Sequence, residues 1–225
     1  MLWGMPGSEK TPGGVRRIFK RDLFGSVVLC DRGDVPVVLR DTRQAARGLG
    51  WLARLLAGNE ARALRRLEAF AEVPALNRWG GGVLERGYID ARPMYAAEPR
   101  DPRYFRQARR LLQRMHRAGV AHNDLAKEAN WLVTEAGEPA LIDFQMAWCS
   151  ARRGRLFRLL AREDLRHLLK HKRSYCPQCL TPVERRLLAR RSWLRELWFA
   201  TGKPVYRWIT RRLLGWRDNE GRANP

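Results

Sequence analysis

HNDLAKEANWLVTEAGEPALIDF, residues 122–144, is the stretch from which the architecture of this chain can be worked out. Trp131–Leu132–Val133 has the composition of a short strand. Glu135 to Pro139 holds a Gly and a Pro and reads as a turn. Ala140–Leu141–Ile142 is the return strand, and it delivers Asp143 to the end from which Asn130 departs. A carboxylate and an amide carbonyl that converge in this way are hard oxygen ligands suited to Mg²⁺. Asp124 sits one loop earlier, within reach of a proton on an incoming hydroxyl. On local grounds alone, a β-hairpin whose Asp and Asn residues cap turns would use the same residue types.

The order of these elements resembles the catalytic loop and metal-binding segment of the protein-kinase-like superfamily. His122–Asn123–Asp124 is similar to the H-R-D element, with Asn for Arg. Asn130 corresponds to the catalytic-loop Asn, and Asp143–Phe144–Gln145 to D-F-G, with Gln for Gly. Asn130 follows Asp124 by six residues, one more than the usual kinase spacing, and Lys127 lies inside the loop. That longer loop resembles small bacterial kinases close to the RIO and lipopolysaccharide-core kinases. The resemblance implies an α+β, two-lobed protein-kinase-like fold. A small β-rich N-terminal lobe with one helix would span 15–86, after a flexible start at 1–14. A mainly helical C-terminal lobe would span 87–225. It also implies ATP and Mg²⁺ as cofactors, with Asp124 and Lys127 catalytic and Asn130 and Asp143 on the metal.

The N-terminal part is read outward from this. RRIFKRDLFGSVVLC, from Arg16 to Cys30, is a hairpin turning at Phe24–Gly25–Ser26. In the kinase reading it covers the nucleotide phosphates, with Gly25 as its single glycine. VPVVLR, Val35 to Arg40, is the next strand. Arg40 stands in the place of the family's strand lysine. It keeps the charge but exchanges a compact ammonium for a planar fork. Ala45 to Ala71 reads as helix, with Ala61, Leu64, Leu67 and Phe70 along one face. Glu60, twenty residues after Arg40, is the expected partner of that arginine, and Glu68 the weaker candidate. Val73 to Gly82 reads as loop. Val83 to Ile89, including Glu85, resembles the strand and hinge that join the lobes, where backbone groups would read the adenine edge.

Further along, Tyr104 to Ala118 is an amphipathic helix ended by Gly119, with His116 in a packing role. Leu156 to Lys170 is a second helix, and Asp164 on it either braces the loop from below or is a solvated helix acid among many arginines. It begins soon after Asp143 and no A-P-E follows, so the activation segment is short or absent. Thr181-Pro182-Val183-Glu184 is a helix start. Leu187 to Trp198 and Val205 to Trp216 carry apolar stripes, the latter beside Arg207, Arg211, Arg212 and Arg217. A basic, Trp-bearing amphipathic helix is the form of an interfacial membrane binder, and equally of a helix packed on its own core with a solvated basic face.

Composition narrows the partners without choosing among them. The 225 residues carry a formal net charge of +21. Residues 151–225 hold 20 Lys and Arg against 6 Asp and Glu. Such a field attracts polyanions: nucleic acid, an anionic membrane face or phosphorylated substrates. Among these, nucleic acid is the less favoured. No apolar run is long enough for a membrane span, and the start lacks the pattern of a signal peptide. Cys30, Cys149, Cys176 and Cys179 do not form a disulfide-scaffold pattern, so the chain reads as cytoplasmic, with peripheral contact to the inner membrane face through its basic C-terminal helices. Cys176-Pro-Gln-Cys179 is a lone C-x-x-C. Unpaired thiols are expected there, with a zinc site involving His167 and His171 as the sharper alternative.

Three functions compete at this point. One is a kinase acting on a sugar hydroxyl of a lipopolysaccharide-core-like glycolipid. The second is a RIO-like protein Ser/Thr kinase. The third is a nucleotide-binding pseudokinase, to which Arg40, Gln145 and the poor glycine loop point.

Overall fold

The computed structural model describes residues 14–33 and 35–189. The segment 1–13 and the expected helices beyond Ala189 lie outside the described residues.

The N-terminal lobe is a five-stranded antiparallel sheet in the order β1-β2-β3-β5-β4. Its strands are β1 (Val15–Asp22), β2 (Gly25–Arg32), β3 (Val35–Asp41), β4 (Leu76–Gly80) and β5 (Val83–Gly87). Register assigns the faces. Arg40 lies opposite Leu84 and Val38 opposite Arg86, so these four share one face. Leu39 and Glu85 are paired on the other. Helix α1 (Gly50–Arg66) covers the first face. Its alanines at 57 and 61 are buried against Leu84, and Trp79 packs on the same cluster. Small residues at four-residue steps let the helix approach the sheet closely.

The sequence reading is corrected at three points here. The helix begins at Gly50 rather than Ala45, because Asp41 caps a 3-10 turn at Thr42–Gln44 and Gly48 takes a left-handed φ of 85°. It ends at Arg66 rather than Ala71. The expected loop at Val73–Gly82 contains β4, and Gly81 and Gly82, with φ of 58° and 79°, form the turn back into β5.

After this sheet the chain is mainly helical. It comprises β6 (Ala91–Pro93), the short α2 (Met94–Ala97), α3 (Pro102–Arg117), β7 (Val120–Ala121), β8 (Trp131–Thr134), β9 (Pro139–Leu141), β10 (Trp148–Cys149) and α4 (Arg155–Tyr175). The expected hairpin forms: Trp131 pairs with Leu141, Leu132 with Ala140 and Val133 with Pro139. Asp101 caps α3 by accepting from the Arg103 N–H, with Pro102 at the first helical position. Gly119 ends that region at φ 78°, where a Cβ would collide with the Ser150 carbonyl oxygen. The core joins Leu64 and Leu67 of the first lobe's helical region to Leu111, Leu112, Met115, Trp131, Leu141 and Phe144. After Asp143 only a 3-10 turn and β10 precede α4, so the connection is short, as expected.

The chain divides by contact after Thr181. Of the second unit the structure describes α5 (Pro182–Ala189), which starts at the proline the sequence marks.

Burial holds the His167 imidazole down at about 4, against an ordinary 6.5, and the Lys170 charge adds to this. His171 is lowered by burial as well. Below about pH 6.5 the unfolded chain therefore binds more protons than the native one, and stability falls as pH drops toward 4. The expected loss for His167 is up to about 3 kcal/mol. Urea melts between pH 7 and pH 4 should show it, and His167→Gln should make the slope shallower.

Candidate active site

The loop that follows β7 is fixed from below by a buried carboxylate. Asp164, on α4, is 1% exposed. It accepts from the backbone N–H of His122 at 2.8 Å and of Asn123 at 2.9 Å. Its third partner is the His116 Nε2, at 3.0 Å. Helices α3 and α4 and the start of the loop are thereby tied at one point. Asn123 then turns through a left-handed φ of 62°, a conformation Asn tolerates better than most residues. The His122 ring is buried, donates from Nε2 to the Ile142 carbonyl at 3.0 Å and lies 4.5 Å from the Phe144 ring. It is a strut between the residue after β7 and the residue after β9.

Asp124 emerges half-buried at the mouth. Lys127 Nζ is 2.7 Å from its Oδ2. The Asn130 amide donates to the Asp124 carbonyl at 2.9 Å and to Oδ2 at 3.2 Å. With its NH₂ group committed to Asp124, Asn130 has its side-chain Oδ1 left for a cation. The Ile142 N–H bonds the Asn130 backbone carbonyl at 3.1 Å, which registers Asp143 beside it. Asp143 has φ 67°, a strained position of the kind that clusters at functional sites. One amide oxygen and one carboxylate fit Mg²⁺, which retains several waters and needs no all-protein cage. Among the described residues no group of three His, Cys, Asp or Glu side chains converges as a metal site.

Across the cleft, Arg40 makes several contacts. It donates to Gln145 Oε1 at 2.7 Å and to Asp143 Oδ1 at 3.3 Å, and its Nε is 3.6 Å from Glu60 Oε2. Glu60 is fully buried and is shared: Arg86 Nε lies 3.3 Å from its other oxygen. Asn59, next to it on α1, donates to the Gln145 and Ala147 carbonyls at 2.9 and 2.7 Å, which anchors the turn after Asp143 to this helix. The pairing of Arg40 with Glu60 was legible from spacing. Arg86, Asn59 and the part played by Gln145 were not. For Arg86 the available signal was a charged residue at a strand position whose neighbours Leu84 and Val38 face the core.

No protein-family model and no curated protein matches the sequence. Solved structures do match in fold. The Rio2 kinase of Chaetomium thermophilum in its ADP/Mg²⁺-phosphoaspartate complex superposes with a TM-score of 0.57 at 17% identity, covering 78% of this chain and 60% of that one. A second Rio2 structure from the same organism gives 0.58 at 17% identity, covering 77% and 62%. The fold is that of a RIO-like protein kinase.

This chain spans about three-fifths of the length of the Rio2 chains it matches. Within the RIO-like frame, two sequence-assigned cofactor residues are not brought to the Arg40 cluster. Glu85 lies mid-strand between β3 and β4, so its backbone belongs to the sheet, and its side chain, on the face opposite Arg40, pairs with Arg32 at 3.0 Å. The segment between β5 and β6 is Tyr88–Asp90, past the end of β5. Gly25 opens β2 rather than sitting mid-turn, with φ 115°, and a Cβ there would collide with the Asp41 carbonyl oxygen. Packing against β3 is thus a sufficient reason for that glycine. The C-x-x-C reading is also corrected: Cys176 and Cys179 form a disulfide, with Cα atoms 5.5 Å apart, rather than free thiols or a zinc site. Instead of facing the cysteines, His171 points its Nε2 at the Leu125 carbonyl, 2.8 Å away.

Glu60→Gln takes the buried carboxylate from Arg86 and leaves Arg40 with Asp143 alone of the two acids it contacts. The expected loss is about 3 kcal/mol, read as a lowered thermal midpoint. An unchanged midpoint would mean the carboxylate does not hold these arginines.

Proposed function

We propose that this protein is an ATP- and Mg²⁺-dependent kinase that transfers a phosphoryl group to a hydroxyl. The observation that supports it most is the convergence of Asp124, Lys127, Asn130 and Asp143 around one loop and one strand end. Asp124 takes or orients the acceptor's proton. Lys127 lies beside it and offsets negative charge on the transferring group. Asn130 and Asp143 would hold Mg²⁺, which would supply charge neutralisation on the phosphates. Arg40, braced by Glu60, exchanges its contact with Asp143 for the phosphates, and Gly25 and the strand leading into Tyr88–Asp90 border the nucleotide. Positioning and electrostatics supply nearly all of this chemistry.

The acceptor is a sugar hydroxyl of a lipopolysaccharide-core-like glycolipid or a protein Ser/Thr. The short connection from Asp143 to α4 offers little platform for an extended peptide and favours the former. No described helix is long and apolar enough to cross a membrane. The net charge of +21 supports peripheral contact with anionic lipid. A second reading, a nucleotide-binding pseudokinase, draws on one observation: Arg40 and Gln145 bond both oxygens of Asp143, at 3.3 Å each.

The two readings part in a turnover assay. The kinase reading expects radiolabel transfer from ATP to glycolipid or protein, and Asp124→Asn should lower it at least about a hundredfold while nucleotide binding persists. Equal transfer by the variant would remove Asp124 from the mechanism. No transfer by the intact protein would favour the pseudokinase.

A further inference from the structure

Gln145 stands where the family pattern has a glycine, and phosphotransfer as set out above gives its side chain no task. That side chain closes a ring. Arg40 donates to Gln145 Oε1 at 2.7 Å and to Asp143 Oδ1 at 3.3 Å, and the Gln145 amide donates to Asp143 Oδ2 at 3.3 Å. Both oxygens of the carboxylate assigned to Mg²⁺ are thus engaged by the protein's own donors. One of those donors is a cation, so the charge of Asp143 is already met.

Glu60 does not set the aim of the guanidinium. Its Oε2 is 3.6 Å from Arg40 Nε, beyond hydrogen-bond length. The short contact belongs to Gln145. A hydrogen bond with one charged partner is stronger than a neutral one. This one lies in a partly desolvated place, where the Arg40 and Asp143 side chains are 15% and 23% exposed. Glu60 therefore supplies counter-charge from behind, and Gln145 turns the guanidinium toward Asp143. The Gln145 backbone is held separately, since its carbonyl accepts from Asn59 Nδ2 at 2.9 Å. Replacing the side chain leaves that anchor to α1 in place.

We infer that Gln145 is a positioning residue that latches Arg40 onto Asp143, so that Asp143 becomes available to Mg²⁺ only as nucleotide phosphates draw the guanidinium away. The inference rests on the phosphotransfer reading above. With the latch closed, Arg40 and Asp143 neutralise each other, and neither phosphate nor metal finds its partner free. With it open, Arg40 is free for phosphate oxygens and Asp143 for the metal. Each ligand favours the open state, so each raises the protein's affinity for the other. An apparent dissociation constant is the intrinsic one divided by the fraction of competent protein, and Gln145 lowers that fraction before any ligand arrives. The contact that serves the pseudokinase reading acts here as a reversible latch.

The test uses the full chain and two separate probes of opposite charge. Mn²⁺ alone, which takes the same oxygen ligands as Mg²⁺, is titrated and the free ion read by paramagnetic resonance. ATP alone, in EDTA, is titrated by calorimetry. Gln145→Ala and the unbranched Gln145→Met should each bind both probes at least about threefold more tightly than the intact protein. A simple change of local charge would move a cation and an anion in opposite directions, and a misfolded variant would gain neither. Asn59→Ala, which frees the turn but keeps the Gln145 side chain, should gain neither as well. Unchanged or weaker binding of either probe by both Gln145 variants, or an equal double gain in Asn59→Ala, overturns the proposal. The phosphotransfer reading fails differently: the intact protein then does not bind ATP even with Mg²⁺ present, whatever stands at residue 145.

Discussion

A carboxylate that is 1% exposed has to find its donors inside the protein, and Asp164 finds them in two backbone N–H groups and one imidazole. Those groups belong to α3 and to the first two residues of the loop after β7, so a single buried charge sets the loop's height above α4. Everything above it inherits that placement. His122 carries the constraint across to Ile142, and the β8–β9 hairpin returns Asp143 to the level of Asn130. Asp124 is then presented by a loop that is held beneath at Asp164 and laterally at Leu125, whose carbonyl faces both Trp131 Nε1 and His171.

The opposing wall of the cleft follows the same rule with the charges reversed. Glu60 is an acid with no exposure, and two guanidiniums flank it. Arg86 is nearly as buried as Glu60, while Arg40 is 15% exposed in its side chain and extends on to Asp143 and Gln145. This arrangement makes sense of an arginine in the lysine's place. One cation stays with Glu60 as a structural partner, and the other is divided between helix and cleft. A lysine has a single nitrogen and would have to choose.

Much of this could be read in the sequence, for identifiable reasons. The hairpin from Trp131 to Leu141 announces itself by its Gly and Pro turn, and the spacing of Asn130 and Asp143 around it dictates their meeting. The Arg40–Glu60 pair follows from strand-to-helix distance. Legibility failed where one residue type serves two purposes. Glycines at 80–82 signal a loop, yet they turn a hairpin that adds a strand. Glu85 resembled a hinge residue because the end of β5 is invisible without its partners. At Gly25 the close approach of the Asp41 carbonyl, a packing reason for glycine there, leaves no mark on the local sequence. Arg86 and Asn59 act on groups far along the chain, and nothing near them reveals it. The disulfide at Cys176 and Cys179 was missed because a pair of cysteines shows only spacing.

The central claim is that Asp143 and Asn130 form a nucleotide–metal site against Arg40. Calorimetric titration with ATP, with and without Mg²⁺, of the intact protein and of Asp143→Asn tests it most directly. The account predicts binding that strengthens with Mg²⁺ in the intact protein and loses that dependence in the variant. No binding at millimolar ATP, or binding indifferent to both Mg²⁺ and the substitution, would contradict it.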